Sequence, residues 1–241
     1  MKRTLIAFLL IMLINLNCLL TVYAAEPPTS VAENQNYSNS QKTNTILILG
    51  ATYAKSWHIK NMSSMEVINK SVIGQQTYQM LEHFEKDLNA VSPRGIIIWG
   101  FINDIFHSDG EYVMQSKLRK SRKNIADMIA IARSKGITPV LATEVTITTP
   151  DSMTSIVNDL FDKIKGRKNA QDKINSYVIH MNAWLKEYAY SEGVTVLDFQ
   201  QILADEDGRR KREYAEKDGS GLTDKAYDVL TEYVKTVDLN L

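Results

Sequence analysis

The stretch ILILGATYAKSW, residues 46–57, ends a hydrophobic run on Gly50, continues through the small Ala51 and then presents the hydroxyl of Thr52. Where a parallel strand hands over to a helix, such an order holds a phosphate, presents an attacking oxygen, or does neither. A phosphate loop of the form G-x-x-x-x-G-K-[ST] needs both glycines so that successive backbone N–H groups can curl around the anion. Here the second glycine is absent, Tyr53 and Ala54 stand in the curl, and Lys55 arrives one position early. The residue types therefore favour a presented hydroxyl. Three further stretches carry polar or glycine residues after apolar runs: Ser71-Val-Ile-Gly74, Gly100-Phe-Ile-Asn103-Asp104, and Asp218-Gly-Ser-Gly-Leu-Thr.

Short β-rich runs alternate with helical periodicity from Asn44 onward. TILILG (45–50), EVINKSV (66–72), GIIIWG (95–100), TPVLAT (138–143) and VTVLDF (194–199) are the predicted strands. Several are apolar without alternation, as strands buried on both faces are. Helical stripes between them run through Tyr78, Leu81, Phe84 and Leu88, through Leu118, Ile125, Met128 and Ala132, and through Ile174, Val178, Met181, Leu185 and Tyr188. A last stripe, Tyr227, Leu230, Val234 and Val237, follows Thr223 as predicted N-cap. Strand–helix alternation predicts an α/β fold, a parallel sheet with helices on both faces. Ligands of such sheets sit beyond the carboxyl ends of the strands, where Gly50, Gly74, Gly100 with Asn103, and Asp218 are expected to gather.

These four blocks, in this order over residues 45–237, resemble the SGNH (GDSL) hydrolases, a family of esterases, lipases and carbohydrate deacetylases. WGFINDI is the most specific part of the likeness. The resemblance implies a flavodoxin-like three-layer α/β/α sandwich with a mainly five-stranded parallel sheet. It also implies that Thr52 stands at the nucleophile position and Asp218 at that of the triad acid. The N–H groups of Thr52 and Gly74 and the Asn103 amide would form the oxyanion hole. No cofactor or metal is implied.

Three positions depart from the family pattern. Thr52 and Ala51 replace the nucleophilic serine and the aspartate before it, and Gly221 occupies the place of the triad histidine. A hydroxyl is a poor nucleophile until a base takes its proton. The histidines are His58, His83, His107 and His180. His83 and His180 are expected on helices away from the strand ends, so His107, close behind the Asn103 turn, and Glu144, after the fourth strand, are the outside candidates for a base. The leading expectation is a catalytically impaired member that binds a small acyl ester or an O-acetylated carbohydrate. A slow hydrolase using Thr52 and a non-catalytic envelope interaction module are the alternatives. In the last, the basic run Arg209–Arg212 would carry contacts, although such a run is ordinarily a solvated face.

MKRT followed by a long apolar stretch and VYAAEPP reads as an export signal over residues 1–25, with a retained membrane anchor as the alternative. It predicts a secreted, periplasmic or envelope protein with no membrane insertion once the signal is removed. Residues 26–43 read as a polar disordered linker, and residues 44–241 as one domain in which 144–172 could form a lid. Cys18, the sole cysteine, lies in the apolar stretch, so the domain has neither disulfides nor a cysteine nucleophile. Lysine and arginine total 28 against 28 acidic residues, a balance that selects no nucleic-acid partner. The oligomeric state is left open.

Overall fold

The computed structural model describes residues 42–107, 111–148, 170–219 and 221–241. The expected signal segment 1–25, nearly all of the linker 26–43, and residues 149–169 of the 144–172 segment lie outside the described residues.

Six strands form one sheet: β1 (Thr45–Gly50), β2 (Asn61–Met62), β3 (Met65–Asn69), β4 (Gly95–Trp99), β5 (Thr138–Ala142) and β6 (Thr195–Leu197). Their spatial order is β2-β3-β1-β4-β5-β6. The five strands from β3 to β6 pair in parallel. The two-residue β2 adds an antiparallel edge that the hydrophobic pattern did not announce. Helices are α1 (Thr52–Lys55), α2 (Thr77–Val91), α3 (Ile102–Phe106), α4 (Glu111–Ser134), α5 (Ala170–Glu192), α6 (Phe199–Leu203) and α7 (Asp224–Val234).

Both faces of the sheet are covered, which explains the unbroken apolar runs. Leu47, Leu49, Ile96, Ile98 and Leu141 pack with α2, α4 and α5. Ile46, Ile48, Ile97, Trp99 and Val140 point the other way and pack with α1, α6 and α7. The α/β/α sandwich is therefore present, with one core on each side of the sheet.

Local chemistry sets the ends of the strands. β3 stops at Asn69, short of the predicted 72, because the Asn69 amide donates to the Ala54 carbonyl and its side-chain oxygen accepts from the Ser71 N–H. β6 stops at Leu197 because Asp198 caps α6 through the Gln201 N–H. The Thr223 hydroxyl caps α7 by accepting from the Ala226 N–H. The buried stripe of α2 is Thr77, Met80, Phe84 and Leu88, not the one begun at Tyr78. Tyr78 is 48% exposed, whereas Met80 is fully buried and brings no polar atom into the core.

Candidate active site

Gly50 ends β1 where the chain runs hard against β4. A Cβ at this position would sit 2.1 Å from the Trp99 carbonyl oxygen, so only glycine permits the approach. The next turn starts α1 at Thr52, and below it Tyr53, Trp57, Trp99 and Phe199 form an interlocked aromatic floor. Trp57 is tied further to α7 by an Nε1–H bond to the Thr231 hydroxyl. Thr52 is thereby held at the carboxyl edge of the central strand, partly exposed.

Two other strand ends meet it. The Gly74 N–H donates to Thr52 Oγ1 at 3.2 Å. Gly74 has φ +78°, a conformation that any Cβ would strain, which is why a glycine stands there. The Asn103 side-chain amide donates to the Gln75 carbonyl at 2.9 Å, binding the β4–α3 turn to the loop that carries Gly74. Behind them the Asp104 carboxylate accepts from the Thr77 N–H and hydroxyl and from the Ser121 hydroxyl, joining α3 to α2 and α4. Burial pushes the Asp104 carboxyl up, against the bonds from Thr77 and Ser121 that favour its ionised form. Thr52, Gly74 and Asn103 thus lie together, as the sequence predicts.

The fourth block is held by a residue from the basic run that the sequence marks as a solvated face. Within the Arg209–Arg212 run, Arg209, Lys211 and Arg212 are exposed, but Arg210 is 1% exposed. Its guanidinium donates to the carbonyls of Gly219 and Gly221 and lies 5.9 Å from the Tyr53 ring centre. The Tyr227 hydroxyl donates to the Tyr53 carbonyl. Burial pushes both tyrosine hydroxyls up, and Arg210 works against this. Gly219 and Gly221 are consequently linked, through Arg210, to the residue that follows Thr52. A Cβ on Gly221 would meet only the flexible Glu216 side chain, at 2.9 Å from its Cγ.

The candidate bases sit as follows. His107 is exposed, and its Nδ1–H donates to the Asn103 carbonyl at 2.8 Å. Glu144 is 1% exposed, and its Oε1 accepts the N–H groups of Phe101 and Ile102. Burial pushes its carboxyl up to about 7, the two backbone bonds opposing that rise and Asp104 adding to it. His58 and His180 are exposed. His83, expected away from the strand ends, lies against Gln75: its Nε2 accepts from the Gln75 amide at 2.9 Å, and its Nδ1–H donates to Asp87 at 2.6 Å. The i,i+4 spacing of His83 and Asp87 was readable in the sequence; the fold of Gln75 onto them was not.

Among the described residues no cluster of His, Cys, Asp and Glu is arranged to hold a metal, and no helix is long and apolar enough to cross a membrane. A cavity lined by Gly136, Thr138, Gly193, Thr195 and Asn240 opens at the amino ends of the strands, opposite the Thr52 edge.

Among solved structures, a GDSL-like lipase from Bacteroides thetaiotaomicron is 20% identical, with TM-score 0.62 over 80% of this chain and 86% of that one. A member of the lipolytic protein G-D-S-L family from Veillonella parvula is 18% identical, with TM-score 0.58 over 82% and 99%. A lipase/acylhydrolase from Enterococcus faecalis is 16% identical, with TM-score 0.54 over 79% and 93%. At such identities the likeness carries the fold alone. No curated protein matches the chain significantly. The sequence profile of the GDSL-like lipase/acylhydrolase family matches residues 49–228, from the end of β1 into α7. With that match spanning the blocks that meet around Thr52, the chain belongs to the GDSL-like lipase/acylhydrolase family.

Proposed function

We propose that this chain is an exported ester-binding member of its family, one that takes an acyl ester or an O-acetylated glycan group at Thr52, Gly74 and Asn103 and turns it over poorly. One observation carries the reading: the residue in the base's position, Gly221, has no side chain, and its carbonyl is bonded to Arg210. Attack by Thr52 Oγ1 on an ester carbonyl forms a C–O bond and must shed the hydroxyl proton before the alkoxide leaves. The four histidines are exposed or bonded elsewhere. A backbone N–H and an amide aimed at a developing oxyanion can still bind and polarise a carbonyl. An oxyanion hole and binding alone sustain about 10³–10⁴-fold catalysis over water when a triad is broken. Slow turnover is therefore compatible with the reading.

The test is hydrolysis of an activated acetyl ester by the purified domain beside its Thr52→Ala variant. Weak turnover that survives Thr52→Ala supports a binding site with residual polarisation. Fast turnover abolished by Thr52→Ala would establish a competent hydrolase instead.

A further inference from the structure

The carboxylate of Glu144 lies beneath the turn that presents Asn103. β4 and β5 are parallel neighbours, with Ile98 opposite Leu141, so the chain leaving β5 runs beside the chain leaving β4. This places Glu144 Oε1 2.8 Å from the Phe101 nitrogen and 3.1 Å from that of Ile102, the two residues immediately before Asn103. The backbone of Glu144 is clamped: the Asn182 amide donates to its carbonyl at 2.7 Å, and its own N–H donates to Asn182 Oδ1 at 3.0 Å. Asn103 is anchored on its far side, where its carbonyl accepts from the N–H and ring of His107. Glu144 Oε2, in contrast, is buried with no hydrogen-bond partner among the described residues. A fully buried carboxyl with one oxygen doubly bonded and the other bare is costly as an anion and costly as an acid. Such a group is retained where its bonds do something.

Resting on the reading of Thr52, Gly74 and Asn103 as an ester-binding pocket, we propose that Glu144 is the positioning residue of Asn103, its proton state setting how tightly the β4–α3 turn is drawn in and hence where the Asn103 amide points. Hydrogen bonds to an ionised acceptor are shorter and about twice as strong as neutral ones. Because Asn182 fixes the Glu144 backbone, any tightening at Oε1 is taken up by Phe101 and Ile102. Asn103 follows directly in the chain. The titratable groups facing Glu144 come from three elements: Asp104 on α3, Tyr53 on α1 and Tyr227 on α7. Burial and Asp104 oppose ionisation of Glu144. The N–H groups of Phe101 and Ile102 favour the ionised form. The proton of Glu144 thereby becomes a means of adjusting the amide donor from below, without contact with the ester.

The experiment is a ¹⁵N–¹H NMR titration of the folded domain from pH 5.5 to 8.5. It follows the Phe101 and Ile102 backbone amides and the Asn103 side-chain amide, in the natural sequence and in Glu144→Gln. Glutamine keeps one acceptor oxygen and cannot ionise. In the natural sequence the three signals should move along one curve with a common midpoint near the Glu144 value of about 7. In Glu144→Gln the inflection should be lost from all three. A flat Asn103 amide in the natural sequence, or an unchanged curve in Glu144→Gln, would overturn the proposal. Binding of an ester analogue is measured on the same samples. A shared titration without any binding would uphold the positioning role and count against the pocket reading alone.

Discussion

Arg210 donates from Nη1 to the Gly221 carbonyl at 2.9 Å, so the residue proposed for the place of the base is held by its backbone. The same guanidinium holds Gly219. Arg210 therefore fixes the shape of the loop that bears Asp218, in a place where the sequence suggested only a solvated basic run.

Arg210→Ala should destabilise the domain by about 3 kcal/mol, since two inward-facing carbonyls lose their partner and a packed side chain is removed. Arg210→Lys should recover only part of this, because an ammonium does not reproduce the planar fork that spans two acceptors. Urea unfolding of the three proteins measures it. Equal stability of all three would mean that the loop holds itself.

Gly74→Ala should cost about 1–2 kcal/mol from the left-handed backbone conformation alone, because nothing lies within 4 Å of the added Cβ to clash with it. Relief of that strain would turn the N–H away from Thr52 Oγ1. Ester affinity should fall in the variant while the fold persists, as read by circular dichroism and a binding titration.

Stability should depend on pH through Glu144 in a defined direction. Its folded value of about 7 lies above the ordinary 4.5, so between these the folded chain keeps a proton that the unfolded chain has released. Stability therefore falls as pH rises through that window and levels off above it. Asp104 is raised too and contributes with the same sign. Glu144→Gln should flatten the upper part of the window, as followed by urea midpoints from pH 4.5 to 8.

The layered fold was legible because each strand is short, apolar and followed by helical periodicity. Gly74 and Asn103 were legible as well, since residues directly after parallel strands must reach the same edge of the sheet. Tertiary reach was less so. The sequence places His83 on a helix remote from the edge, and only the return of Gln75 onto it brings the imidazole there. Arg210 sits among exposed cations in sequence, and nothing in its neighbours told that this one side chain would turn inward to two glycine carbonyls. The place of Glu144 after β5 marks it in the sequence as a candidate base; its hydrogen bonds to the backbone of the turn after β4 are not legible there. In α2 the spacing admitted two adjacent stripes, and the burial of Met80 over Tyr78 decided between them.

Rebuilding a proton acceptor at Gly221 tests whether its absence is what limits turnover. Hydrolysis of an activated acetyl ester is measured for the natural sequence, Thr52→Ser, Gly221→His and the double variant. Glu216 is exposed and must move aside for the imidazole. A general base contributes about 10²–10⁴-fold where its geometry is right. Thr52→Ser alone should gain little, and the double variant should gain at least about 10²-fold, lost again on Asp218→Asn. Rapid hydrolysis by the natural sequence, unchanged when Gly221 becomes histidine, would contradict that limitation.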